Sequence, residues 1–187
     1  MKKLILLNSL LFFFTCLFAQ NQYGLPFIHI YTPKQYNAHY QNWSAMQTKE
    51  NLMLFANGDG VLSFDGKDWN LYDSKLNFTP RTVKYQKDGN IYISGNGKFG
   101  KIIIDSTNKL SFKPIYDFDV VIWDFCVADS LTYLVSEKFL EVRKKNQIVY
   151  HKDTIIYSFT IDKNKNLYFY NRKQIYFFKE NAISPIT

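Results

Sequence analysis

The chain has 187 residues and a formal net charge of +7, with 47% hydrophobic, 18% aromatic and 21% charged residues. That apolar and aromatic content excludes a disordered chain and favours strands around a sizeable core. The basic residues are spread out, residues 143–145 being the longest run, which excludes the concentrated basic groove a nucleic acid requires.

The chain opens with Lys2 and Lys3, then an apolar run over 4–18 broken only by Asn8, Ser9 and Thr15. "LFAQNQ" follows, with Ala19 as the small residue before a cut. This is the layout of a secretory signal peptide, assigned to residues 1–19. The run is shorter than the ~20 apolar residues of a spanning helix, although a retained leader would act as a membrane tether. Removing Lys2 and Lys3 from +7 leaves about +5 on the mature part. Cys16 departs with the leader, and "FFTC" lacks the small residues expected before a lipidated cysteine. Cys126 then has no partner, so no intrachain disulfide is expected and Cys126 reads as a small buried hydrophobe. Residues 20–43 form a Tyr-rich lead-in, "GLPFIHIYTPKQYNAHYQNW", expected to pair with a closing part of the fold.

Beyond the lead-in the chain repeats itself. "NLMLFANG" begins at Asn51 and "NIYISGNG" at Asn90, 39 residues on. "TYLVSE" begins at Thr132 and "LYFYNR" at Leu167, so the unit returns every 35 to 41 residues. Such a period marks solenoids, propellers or arrays. The local pattern decides among them. Each unit alternates with period two, and no stretch after residue 43 carries a helical apolar stripe. In the second unit "RTVKYQ", "IYISG", "KIIID" and "LSFKPI" are strands separated by "KDGN", "NGKFG" and "STNK". Asp-Gly and Asn-Gly suit these turns because they accept positive φ.

Four short antiparallel strands in about 40 residues make one blade of a β-propeller. The expected fold is all-β, a partial propeller of about four four-stranded antiparallel blades near 44–76, 80–116, 120–152 and 154–187. One blade cannot bury both faces, so its neighbours must cover them. Leu52, Leu54, Ile91, Ile93, Leu134, Leu167 and Phe169 are expected in those gaps. The last blade ends at "ISPIT", inside its expected fourth strand, which reads as a blade cut short in a larger ring.

The lead-in, "NLMLFANGDGVLSFDGKDWNLY" and "RTVKYQKDGNIYISGNGKFG" together resemble a family of exported bacterial sensors. These are the N-terminal periplasmic propellers of two-component-regulator-type proteins, common in Bacteroidetes. Its first-blade pattern is met by Ala56, Asn57, Gly60, Leu62, Phe64, Asp65, Gly66 and Trp69, and its next by residues 90–100, except that Asn90 replaces Gly and Ser94 intervenes. The resemblance covers roughly residues 21–116. It implies further blades, a triple-tyrosine immunoglobulin-like domain, a transmembrane helix, and a histidine kinase or DNA-binding output in longer members. None of these lies in this chain.

The residue types that carry chemistry give no constellation. His29, His39 and His151 lack neighbours at metal-ligand spacing. "GNGKFG" runs into a strand and so presents no helix N-terminus to a phosphate. "NGDG" lacks the spacing and distal Glu of a calcium loop. Trp43 and Trp123 sit at innermost strands, where core packing is the default, and Trp69 near an outer edge; the sharper role for any of them is a sugar platform. No catalytic, cofactor-binding or metal-binding residue is assigned, and no cofactor is expected. The expected function is extracytoplasmic ligand sensing, with a small molecule or glycan as ligand and the C-terminal blades and signalling domains of a longer protein as partners. A propeller lyase or glycosidase, or an interaction scaffold, is the rival. An acid/base cluster at the channel would favour the enzyme, and an uncharged aromatic rim would favour sensing.

Overall fold

A computed structural model describes residues 27–72, 76–107, 109–128, 130–162, 166–179 and 182–186. The expected leader, with Cys16, and the start of the lead-in lie outside the described residues. The chain divides into two compact units, Met1–Tyr31 and Thr32–Thr187. The described part of the first is irregular and exposed, with the His29 and Tyr31 rings 4.3 Å apart.

The second unit opens with a single helical turn, α1 (Pro33–Tyr36). Proline at its first position presets the backbone, and Gln35 Oε1 accepts from the Thr32 N–H at 2.7 Å. Asn37 in the left-handed region (φ 49°) ends it. Among the described residues, everything regular after it is strand. β1 (Asn42–Gln47), β2 (Met53–Asn57), β3 (Gly60–Phe64) and β4 (Trp69–Tyr72) form the first blade, antiparallel in chain order. β5 (Pro80–Tyr85), β6 (Ile91–Ile104), β7 (Leu110–Ala128), β8 (Leu131–Ser136), β9 (Phe139–Lys144) and β10 (Gln147–Asp153) follow as one six-stranded order. β11 (Ser158–Ile161), β12 (Leu167–Tyr170), β13 (Ile175–Lys179) and β14 (Ala182–Pro185) close the series.

The six-stranded order is two blades joined. β6 is not straight. Extended chain would hold Tyr92 and Phe99 about 23 Å apart, yet their rings stack at 5.6 Å and Lys101 Nζ lies 5.0 Å from the Tyr92 ring. The strand therefore doubles back at Gly97, whose φ of 72° needs glycine. Its first limb pairs with β5 and its second, 99–104, with the start of β7. β7 then passes the tip of that hairpin, Lys98 facing Asp117 and Asn96 facing Val121, and becomes the innermost strand of the third blade. Separate sheets were expected here; hydrogen bonding continues through the connection because residues 117–121 stay extended beside the tip.

The turns close as their composition predicts. Asp65 Oδ1 accepts from the N–H groups of Lys67 and Asp68, at 2.9 and 2.7 Å. Asp88, Asp105 and Asp162 accept in the same way from Asn90, Thr107 and Asn166. Backbone donors hold Asp65 below the usual carboxylate range, and the Thr107 hydroxyl and backbone do so for Asp105. These acids are turn formers.

Alternation along each strand divides the core into three layers between blades. Leu52, Leu54 and Ala56 meet Val83, Ile91 and Ile93 between blades one and two. Tyr92, Phe99 and Tyr116 meet Ile122, Phe125 and Leu134 between two and three. Tyr133, Val135 and Leu140 meet Leu167, Phe169 and Phe178 between three and four. Ile91 and Ile93 face one neighbour and Tyr92 the other, the period-two arrangement that lets one strand serve two interfaces. At ~25 cal/mol per Å2 of apolar surface removed from water, these layers supply the main stabilisation. All seven residues expected in the gaps are buried. The other side of blade one carries Trp69, whose ring lies 4.4 Å from Phe64 and 5.4 Å from Tyr36 of α1.

Candidate functional site

Each innermost strand must leave one row of side chains at the propeller axis, and here the backbone supplies an unusual device. In β1, Asn42 faces Asn57 and Ser44 faces Ala56, so Trp43 is one residue too many for the partner strand. In β5, Pro80 faces Gly95 and Thr82 faces Ser94, leaving Arg81 extra. In β7, Ile122 faces Ser136 and Asp124 faces Val135, leaving Trp123 extra. The same β-bulge thus recurs at the same place in three blades. A bulge bends its strand and re-aims the side chain it carries.

The three re-aimed side chains meet. The Arg81 guanidinium carbon lies 4.2 Å from the centre of the Trp43 ring and 5.0 Å from that of Trp123. The two indoles stand edge to face at 5.9 Å. Core packing was the default for both tryptophans, but Trp43 is 43% and Trp123 36% exposed, because the extra residue lifts each out of the interface row. Trp69 packs on blade one as described. Cation–π attraction holds Arg81 against both rings, and burial lowers its pKa. Its Nε is buried with no acceptor among the described residues.

Side-chain hydrogen bonds tie the inner strands together beside this cluster. Ser44 Oγ accepts from the Val83 N–H, and the Thr82 hydroxyl donates to the Trp123 carbonyl, both at 2.8 Å. Lys84 Nζ meets Asp124 Oδ1 at 2.5 Å, and the same oxygen accepts from the Phe125 N–H. A groove of about 660 Å3 adjoins, lined by Thr82, Trp123, Asp124, Glu137, Tyr157 and Phe159 among others. Thr82→Val keeps the shape and removes the inter-blade bond. It is expected to lower stability by about 1 kcal/mol and to change tryptophan emission, read by urea unfolding followed by fluorescence.

The other residues singled out in the sequence do not join this site. His39 Nδ1 accepts from the Gln41 N–H at 3.1 Å and its ring stacks on Tyr40. His151 lies between Glu141 and Asp153, at 3.3 Å from each, and Glu141 also holds Arg143. That cluster sits on β9 and β10, two and three strands out from the inner strand of its blade. Among the described residues no three His, Cys, Asp or Glu side chains are placed to hold a metal ion. In "NGDG" the fully buried Asn57 donates to the His39 carbonyl and to Asn42 Oδ1, at 2.6 and 2.9 Å, which makes it a strut between blade and lead-in. "GNGKFG" is the β6 hairpin. Cys126 is half-buried, and burial raises its thiol pKa, away from a reactive thiolate.

Arg81 was missed by sequence reasoning. The signal that finds it is the alignment of units at "NWSAM", "PRTVK" and "IWDFC", which sets Trp43, Arg81 and Trp123 in one column.

No family model and no curated protein matches the chain. Among solved structures, it is similar to the extracellular domain of a putative one-component system from B. thetaiotaomicron, with 14% identity and a TM-score of 0.66 over 86% of this chain. It is also similar to virginiamycin B lyase from Staphylococcus aureus, with 8% identity and a TM-score of 0.61 over 84%. The WD40 β-propeller domain of Doa1 matches with 13% identity and a TM-score of 0.59 over 78%. The chain spans 23% of the first of these proteins, 58% of the second and 54% of the third. At such identities the likeness is one of fold, and the fold is a β-propeller.

Proposed function

We propose that this β-propeller is the ligand-sensing input region of an exported, membrane-bound signalling protein of which it is one part. The observation that carries the reading is the half-exposed Trp43–Arg81–Trp123 cluster, built where inner strands of three blades converge. Loops and inner strands meeting at one axis give a ligand contacts on several blades at once. A ligand held by several blades stabilises one arrangement of them, and that preference is what a sensor transmits. The resemblance over residues 21–116, the leader, and the fold likeness to an extracellular one-component-system domain support this reading. Tyr170 and Ile175 leave apolar surface on blade four, 42% and 51% exposed, where a further blade would stack.

The lyase reading rests on fold likeness to streptogramin-type lyases, while the Glu141–His151–Asp153 group stands away from the inner strands. The test is a thermal-shift screen of the secreted protein against monosaccharides, oligosaccharides and short peptides, with each compound recovered and assayed for change. Stabilisation by a compound recovered intact is the expected result. Turnover of a compound gives the enzyme reading, and absence of any shift gives the scaffold.

A further inference from the structure

We infer that Trp43, Arg81 and Trp123 form a binding box for a small ring-bearing carboxylate, with the guanidinium as anchor and the indoles as walls.

A guanidinium is always charged and is built to donate from a planar fork. Among the described residues Arg81 has neither a hydrogen-bond acceptor nor a carboxylate partner, and its Nε is shut off from water. Asp124, next to Trp123 on β7, is already taken by Lys84 and by the Phe125 N–H. The bulge that places Arg81 here in β5 recurs in β1 and β7, where it places the two indoles. The two indole centres lie 4.2 and 5.0 Å from the guanidinium carbon and 5.9 Å from each other, so both sit to one side of it, and the terminal Nη edge is what a partner can reach. A carboxylate is the planar acceptor that matches that edge with two parallel bonds.

The remainder of the ligand follows from the walls. Of the three box residues Trp123 is the one that also lines the groove, beside Tyr157 and Phe159, so it is the wall along which the body of a ligand held at Arg81 would extend. Thr82 and Glu137 in the same lining offer acceptors to hydroxyl groups. Two sources share this chemistry, a sugar acid and a plain aromatic acid. The proposal takes its location from the sensing reading.

The test uses the secreted protein, with tryptophan emission and calorimetry reporting binding of sodium glucuronate and sodium benzoate at fixed ionic strength. Glucose and benzyl alcohol are the uncharged counterparts. Saturable binding of at least one carboxylate, with its counterpart bound about tenfold more weakly or worse, is expected. Glucuronate alone identifies the sugar-acid source and benzoate alone the aromatic one; either supports the box. Arg81→Gln is expected to lose about tenfold or more in affinity, and Arg81→Lys to recover only part of it. Circular dichroism melts establish that each variant is folded, and the charged-against-neutral comparison in the unaltered protein needs no variant. Equal binding of acid and counterpart, no saturation by either acid, or full affinity in folded Arg81→Gln overturns the proposal. If neutral sugars or peptides still bind in any of those cases, the sensing reading stands without the box. Turnover, or silence across the whole panel, removes that reading as well.

Discussion

Phe125→Ala is expected to lower the unfolding free energy by about 3–5 kcal/mol. Phe125 is fully buried on the innermost strand of blade three, in the layer shared with blade two. Its ring meets Phe99 edge to face at 5.1 Å and lies 6.3 Å from Tyr92, both on the doubled β6. Lys84 Nζ stands 5.7 Å from its centre, bridging from β5. Truncation opens a cavity walled by strands of two different blades. Those walls cannot close on it, since each is fixed in its own hydrogen-bonded ladder and by its opposite interface. Because this layer joins the first pair of blades to the second, its loss is expected to split the unfolding transition. Urea unfolding followed by circular dichroism, and separately by tryptophan emission, checks this; coincident single transitions at unaltered stability would contradict it.

Gly95→Ala is expected to cost about 1–3 kcal/mol or more and to disturb the tryptophan cluster. A Cβ at residue 95 would fall 2.2 Å from the Thr79 carbonyl oxygen and 2.7 Å from Pro80 Cα. Both atoms are backbone, so no rotamer change relieves the clash. Pro80 is the ladder partner of Gly95, and Arg81 is the bulged residue next to it. Pushing Pro80 away therefore moves Arg81 off its two indoles. The neighbouring position gives the opposite sign. Ser94 Oγ is buried without an acceptor among the described residues, so Ser94→Ala is expected to be neutral or mildly stabilising. Thermal melts of the pair, with emission spectra, separate a steric effect from general fragility of β6.

The repeat was legible because the physics of one blade recurs. Asn57-Gly58 and Asn96-Gly97 fall 39 residues apart, and rows such as Ile91 and Ile93 must be apolar wherever a sheet is covered. The bulges were not legible. One surplus residue in a six-residue strand leaves the alternation nearly intact, while it changes which way Trp43 and Trp123 point. Arg81 looked like one more dispersed cation, since its partners lie 38 and 42 residues away along the chain. The joining of β7 to both middle blades was hidden for a similar reason: residues 117–120, "DFDV", carry no turn signal, and only their placement beside Gly97 shows that pairing continues.

The surplus residues at 43, 81 and 123 stand outside the rows that glue neighbouring sheets to one another. Evolution can therefore rewrite them without touching the frame, much as interchangeable bits fit a single tool handle. Glutamate at 81 would invite amines, and leucine there would invite purely oily molecules, while the surrounding layers went on packing as before. Under the proposed box, what is bound could be changed at these three positions while the shape stayed as it is.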